Sequence, residues 1–245
     1  MKIKILPSDA ERMKVDVWSD VRCPFCYIGK RKFEQALENF EQKEQVDVKW
    51  RSFELDPFLK TDPDISASDY LVESKGISRN QVRQMIDQVS HAAQEVGLAF
   101  DFEKNVVANS FHAHRLIQCA QSVGLGEEAG EAMFKAHFSD GENIDDAEVL
   151  REVGRSIGLD EAKLEKLLSS KDFDDIVKAD QEKARNLGIR GVPFFIFDHK
   201  YAVSGAQPPA VFLEALQRSW TEWSEERKDL DGFSDHSCSV DGECF

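Results

Sequence analysis

A β-branched alternation, Met13-Lys14-Val15-Asp16-Val17-Trp18, runs through Ser19-Asp20-Val21-Arg22 into Cys23-Pro24-Phe25-Cys26. Phe33, Leu37 and Phe40 then recur at i, i+4 and i+7 with Ala36 beside them, which predicts a helix over residues 24–40. A second strand pattern follows at 46–53, Val-Asp-Val-Lys-Trp-Arg-Ser-Phe. Strand, helix, strand in that order implies a parallel pair joined by a crossover helix. The two cysteines therefore fall at a strand-to-helix junction, and that junction constrains the fold more than any other feature of the chain.

Pro24 suits the first helical position, which makes Cys23 the helix N-cap. Such a side chain faces the free N–H groups of Phe25 and Cys26, at the positive end of the helix dipole. The thiolate is the form this placement favours, and Arg22 adds a neighbouring positive charge. Cys26 lies one turn on and faces inward. The expected division is Cys23 as nucleophile toward a disulfide and Cys26 as the resolving thiol, with Pro24 and Phe25 shaping the N-terminus.

Residues 62–187 show no comparable strand and a succession of helices. Ser78 and Gln81 have capping-box spacing, after which Val82, Met85, Ile86, Val89, Ala93 and Val96 hold one face as far as Gly97. Further helices are expected at 109–122, 127–139, 147–157, 161–169 and 174–187. Strands return at 193–197 and 201–203 around the turn Asp198-His199-Lys200, and a final helix presents Phe212, Leu216, Trp220 and Trp223 on one face. The organisation expected is residues 1–61 and 188–227 as two parts of one domain, 62–187 as a helical insertion, and 228–245 as an acidic, loosely docked extension.

With 46 acidic against 31 basic side chains the 245-residue chain carries a formal charge of −15, which disfavours nucleic acid and anionic membrane surfaces as partners. The longest apolar runs, such as Val192-Pro193-Phe194-Phe195-Ile196-Phe197, are too short to span a bilayer. Charge interrupts the first twelve residues before a signal-type apolar region forms, so a cytoplasmic location is expected. There a close cysteine pair points to catalysis or metal binding rather than to a staple.

These residues resemble DsbA-like thioredoxin-fold proteins: Cys23-Pro24-Phe25-Cys26 after the first strand, a long helical insertion, then Val192-Pro193 before a hairpin and a last helix. Trp18-Ser19-Asp20-Val21-Arg22-Cys23-Pro24 and Asn109-Ser110-Phe111-His112-Ala113-His114-Arg115-Leu116 are most similar to the FrnE-type cytoplasmic branch, over roughly residues 13–227. The fold class expected is α/β, a thioredoxin fold with a large helical insertion. The resemblance implies a cis Val192-Pro193 bond beside the dithiol, whose backbone pairs with a substrate strand. It also implies activity on protein or peptide disulfides, with glutathione or a thioredoxin-type reductant as partner and no cofactor. Pro24-Phe25 departs from the Pro-His of strongly oxidising periplasmic members, so a strongly oxidising potential is not implied.

Cys238 and Cys244 flank Gly242 near the C-terminus, and a second redox pair exchanging with Cys23 and Cys26 is the expectation, one the resemblance supports. The competing arrangement gathers Cys23, Cys26, Cys238 and Cys244 around zinc, with His236 nearby. Cys119 reads as a small core residue. His112 and His114 point to different faces of one helix and read as structural, and His137 and His199 are isolated. Two other function classes stay open: a glutathione-dependent isomerase or transferase of the 2-hydroxychromene-2-carboxylate isomerase or kappa type, whose members typically carry serine where Cys23 stands, and a disulfide-independent holdase-type binding module.

Overall fold

The computed structural model describes residues 12–234. Strand β1, Met13–Ser19, is buried along nearly its whole length because both of its faces are covered. Helix α1, Pro24–Glu38, carries Phe33 and Ala36 on its buried face. A 3-10 turn, Lys43–Gln45, leads to β2, Val46–Ser52, which pairs parallel with β1 from Met13 opposite Val46 to Ser19 opposite Ser52.

The insertion begins with β3, Asp62–Ser66, and α2, Ala67–Lys75, followed by α3, Arg79–Gln94, and β4, Val106–Val107. Helices α4, Phe111–Gln121, α5, Gly126–Lys135, α6, Ala147–Ser156, α7, Glu161–Ser169, and α8, Asp174–Asn186, complete it. Strands β5, Phe194–Phe197, and β6, Tyr201–Ser204, form the expected antiparallel hairpin, turning through positive φ at Asp198 and His199. Helix α9, Pro209–Ser234, closes the chain's described part. The sheet order is β2-β1-β5-β6, with β1 antiparallel to β5.

Two packed layers fix this sheet. On one side Phe33 of α1, Phe195 and Phe197 of β5 and Phe212 of α9 form an aromatic cluster, with Phe195 and Phe212 centroids 4.6 Å apart. On the other, Trp18 packs with Ala184 of α8 and Ile189. Beneath that second layer, Asp180 of α8 accepts hydrogen bonds from Arg51, from the Ser52 N–H and from Gln118, and so ties the insertion to β2.

The structure departs from the sequence reading in five places. Residues 62–66 and 106–107 form a small antiparallel ribbon inside the insertion; Asp62-Pro63-Asp64 has no apolar alternation to announce it. Helix α2 lacks any fully buried residue, so no apolar face marked it, although Ser66 caps it by accepting the Asp69 N–H and Gly76 ends it with φ 63°. Met85 is exposed on α3, where Val82, Val89 and Ala93 alone are fully buried. The helix expected over 127–139 changes at Ala136–Asp140 into a π-helical turn, and α9 continues beyond Arg227 to Ser234.

Candidate active site

The β1–α1 junction is a tight turn closed by the Cys23 N–H donating to the Asp20 carbonyl at 3.0 Å. Cys23 is the N-cap of α1, with φ −93° and ψ 111°, and Pro24 occupies the first helical position. The expected capping bonds from helix N–H groups to the Cys23 side chain are not made. Instead Cys23 Sγ donates to the Val192 carbonyl oxygen at 3.6 Å. A thiol is a weak acceptor for N–H donors, and a carbonyl within reach is the better use of its single proton.

The Val192-Pro193 bond is cis, as the resemblance implied, and follows a stretch of chain far from Cys23 in sequence. The Pro193 carbonyl accepts the Gly205 N–H at 2.8 Å, which fixes this loop to the end of the β5–β6 hairpin. Exposed apolar side chains flank the dithiol turn: Phe25, inside the motif, is 47% exposed, and Leu55, whose N–H reaches Asp20, is 50% exposed.

Both cysteines are free thiols, but their surroundings differ. Cys26 is only 1% exposed, and burial pushes its thiol well above the ordinary range, with the neighbouring Cys23 acting in the same direction. The Ser19 hydroxyl and the Asp20 backbone N–H act in the opposite direction, more weakly than the burial.

Asp20 is fully buried, and its carboxylate accepts the N–H groups of Arg22 at 3.1 Å and Leu55 at 2.8 Å. His114 Nε2 lies 3.5 Å from Asp20 Oδ1 and 3.1 Å from the Phe53 carbonyl. Burial alone would raise the Asp20 carboxyl, but His114 and the two backbone donors hold it below its ordinary value. Glu54, next along, is pushed up by burial against the pull of Gln181. The guanidinium of Arg22 sits over the Tyr70 ring, 5.5 Å from its centroid. The sequence reading has Asp20 in the flank of the motif and His114 among structural residues; the contact between them joins segments far apart in the chain.

The remaining candidates lie elsewhere. His112 faces away from His114 and pairs with Asp145 at 2.7 Å, and Cys119 is a buried core residue whose thiol burial pushes up. His199 is exposed. Cys238, Cys244 and His236 fall outside the described residues; among the described ones no group of three or more His, Cys, Asp or Glu is arranged to hold a metal. No described helix is long and apolar enough to cross a membrane.

The chain is similar to several known proteins. The probable DsbA oxidoreductase SCO1869 of Streptomyces coelicolor is 36% identical, with a TM-score of 0.80 over 86% of this chain and 91% of that one. The uncharacterized protein YwbO of Bacillus subtilis strain 168 is 28% identical over 205 residues, covering 82% of this chain and 94% of YwbO. The cytosolic disulfide reductase DsbM of Pseudomonas aeruginosa, in a structure with GSH, shares the fold at 17% identity and a TM-score of 0.59 over 88% of this chain and 99% of DsbM. The family profile described as DSBA-like thioredoxin domain matches residues 14–217, nearly the whole of the described fold, and the chain belongs to that family.

Proposed function

We propose that the protein is a thiol-disulfide oxidoreductase that reduces or isomerises protein or peptide disulfides through Cys23 and Cys26. The observation that carries this reading is the pairing of Cys23 Sγ with the Val192 carbonyl while Cys26 lies buried one helical turn behind it. Cys23, as thiolate, attacks one sulfur of the substrate; the substrate S–S bond breaks, a mixed disulfide forms, and the first substrate sulfur departs and takes up a proton. Cys26 then loses its proton and attacks Cys23, the mixed disulfide breaks, and the second substrate sulfur leaves as a thiol. The substrate gains two electrons and two protons, and the enzyme holds a Cys23–Cys26 disulfide that a thiol reductant returns to the dithiol.

Substrate backbone pairs beside Val192 and Pro193, and exposed Phe25 and Leu55 offer apolar contact to a partly unfolded chain. Net reduction suits a cytoplasmic setting, and glutathione or a thioredoxin-type dithiol is the reductant; DsbM, named a cytosolic disulfide reductase and seen with GSH, supports both. Cys238 and Cys244 form the auxiliary pair that exchanges with the central dithiol.

Reduction of insulin with glutathione as electron donor tests the reading. The wild type accelerates it, Cys23→Ser abolishes the acceleration, and Cys238→Ser slows turnover without abolishing it. Equal rates for wild type and Cys23→Ser would refute the assignment.

A further inference from the structure

Arg22, the residue before Cys23, is half-buried, and its guanidinium lies over the Tyr70 ring of α2, 5.5 Å from the centroid. Tyr70 in turn donates its hydroxyl to Asp56 Oδ2 at 3.4 Å, so the redox turn, α2 and the loop after β2 meet around this cation. Three carboxylates belong to the same region, and each is engaged by other donors. Asp20 accepts the backbone N–H groups of Arg22 and Leu55 and lies 3.5 Å from His114 Nε2. Glu54 accepts from Gln181 at 2.7 Å, and Asp56 accepts the Phe58 N–H at 3.1 Å besides Tyr70. Among the described residues no carboxylate forms an ion pair with the Arg22 guanidinium and no oxygen accepts a hydrogen bond from it, whereas Arg31, Arg51 and Arg115 all have carboxylate partners.

Resting on the oxidoreductase reading above, we propose that Arg22 is a specificity-determining residue: its guanidinium receives a carboxylate carried on or beside the cysteine that Cys23 attacks, so the protein prefers disulfides with an anionic flank. A guanidinium stacked on an aromatic face keeps its in-plane N–H donors available, and these match the two oxygens of a carboxylate. The formal charge of −15 repels anionic substrates at long range, and salt screens that repulsion beyond about 8–10 Å. Selection at contact distance therefore falls to the cation beside Cys23, while exposed Phe25 and Leu55 add apolar contact without charge. Two sources share this chemistry: glutathione disulfide, and peptide cysteines next to Asp or Glu.

The full chain carrying Cys26→Ser, Cys238→Ser and Cys244→Ser cannot resolve a mixed disulfide, so intact mass reads the first step alone. The Cys23 thiolate attacks one substrate sulfur, the substrate S–S bond breaks, one half stays on Cys23 and the other leaves as a thiol. Rates are measured with dithiodipropionate, hydroxyethyl disulfide and cystamine, which are anionic, neutral and cationic, each divided by its rate with a free neutral cysteine derivative. Arg22→Gln lowers the anionic-to-cationic ratio about tenfold, whatever common factor it places on both, and Arg22→Lys retains most of the preference. Lys43→Gln, which removes a positive charge beyond the far end of α1, shifts the ratio by less than about twofold. With Arg22 in place, about 1 M salt brings the ratio toward that of Arg22→Gln, a readout that stands even if the variant fails to fold. A ratio unchanged by Arg22→Gln and by salt, or shifted as much by Lys43→Gln, overturns the proposal, as does an equal slowing of all three disulfides, which marks a residue acting on Cys23 alone. Glutathione disulfide against cystamine, and a Glu-flanked against a Lys-flanked peptide disulfide, identify the source by which preference Arg22→Gln removes; removal of neither overturns the proposal. No adduct on Cys23 with any disulfide in the starting chain would sink the oxidoreductase reading itself, before any change at Arg22 is made.

Discussion

Gly29 of α1 and Pro193 of the cis-proline loop are packed so closely that a Cβ at position 29 would lie 2.9 Å from Pro193 Cγ and 3.6 Å from the Ala206 Cα. The helix that carries both cysteines and the loop that meets Cys23 are thus held in register by the absence of a side chain.

Gly29→Ala sets two effects against each other. Alanine favours a helix interior by about 1 kcal/mol. The proline ring, however, cannot swing aside, so the loop must shift, at a cost of about 1–3 kcal/mol. The expected result is a net loss of stability in urea unfolding together with slower insulin reduction, because Val192 moves off Cys23. A variant more stable than wild type with an unchanged rate would show that the loop yields freely.

Cys26→Ser preserves volume at a buried site and removes the resolving thiol. Cys23 still attacks, so the mixed disulfide with substrate or glutathione accumulates and is visible by intact mass. In the wild type the resolving step should quicken by about tenfold per pH unit around neutrality, since burial keeps the Cys26 thiol protonated there and the thiolate fraction rises with pH. A flat profile would mean that deprotonation of Cys26 does not limit resolution.

The Cys23–Cys26 junction was legible in sequence because helix-start chemistry is local: Pro24 announces the first turn, and the cysteine before it can only be the cap. Much of the helical insertion was legible for the same reason, as the Ser78–Gln81 capping box shows. What escaped depends on contacts between distant segments. His114 reaches Asp20 only once α4 folds back on the β1–α1 turn, and Cys23 Sγ finds the Val192 carbonyl across the whole insertion, so neither contact leaves a local trace. Helix α2 and the β3–β4 ribbon went unseen because they bury too little apolar surface to impose a period.

Asp180 holds charge in the interior, accepting from Arg51 at 3.1 Å, the Ser52 N–H at 3.0 Å and Gln118 at 3.2 Å. Arg51 continues to Asp16 at 2.7 Å, which Lys183 also approaches at 3.3 Å. Asp180→Ala strands the Ser52 N–H and removes contacts of the Arg51 guanidinium and the Gln118 amide, though these keep Asp16 and the Trp50 carbonyl, and should cost about 3–5 kcal/mol in unfolding free energy. Asp180→Asn keeps the shape and one acceptor and should cost less, about 1–3 kcal/mol. Both variants as stable as wild type would show that neither the charge nor the acceptors matter there.

His137 sits in the π-helical turn that follows α5, buried, with Nδ1 lacking a hydrogen-bond partner. Burial pushes its imidazole down from 6.5 to about 4, with the charge of Arg22 acting the same way and that of Asp20 against it. The folded state therefore binds fewer protons than the unfolded chain between those two values. Stability owed to the neutral ring is complete above pH 6.5 and is lost as pH falls toward 4. The full loss is about 3 kcal/mol. His137→Leu removes the titrating group, so its urea midpoint should fall less than that of wild type across this window. The buried carboxylates titrate alike in both proteins and cancel in the difference, and parallel pH curves for the two would show that His137 does not resist protonation in the fold.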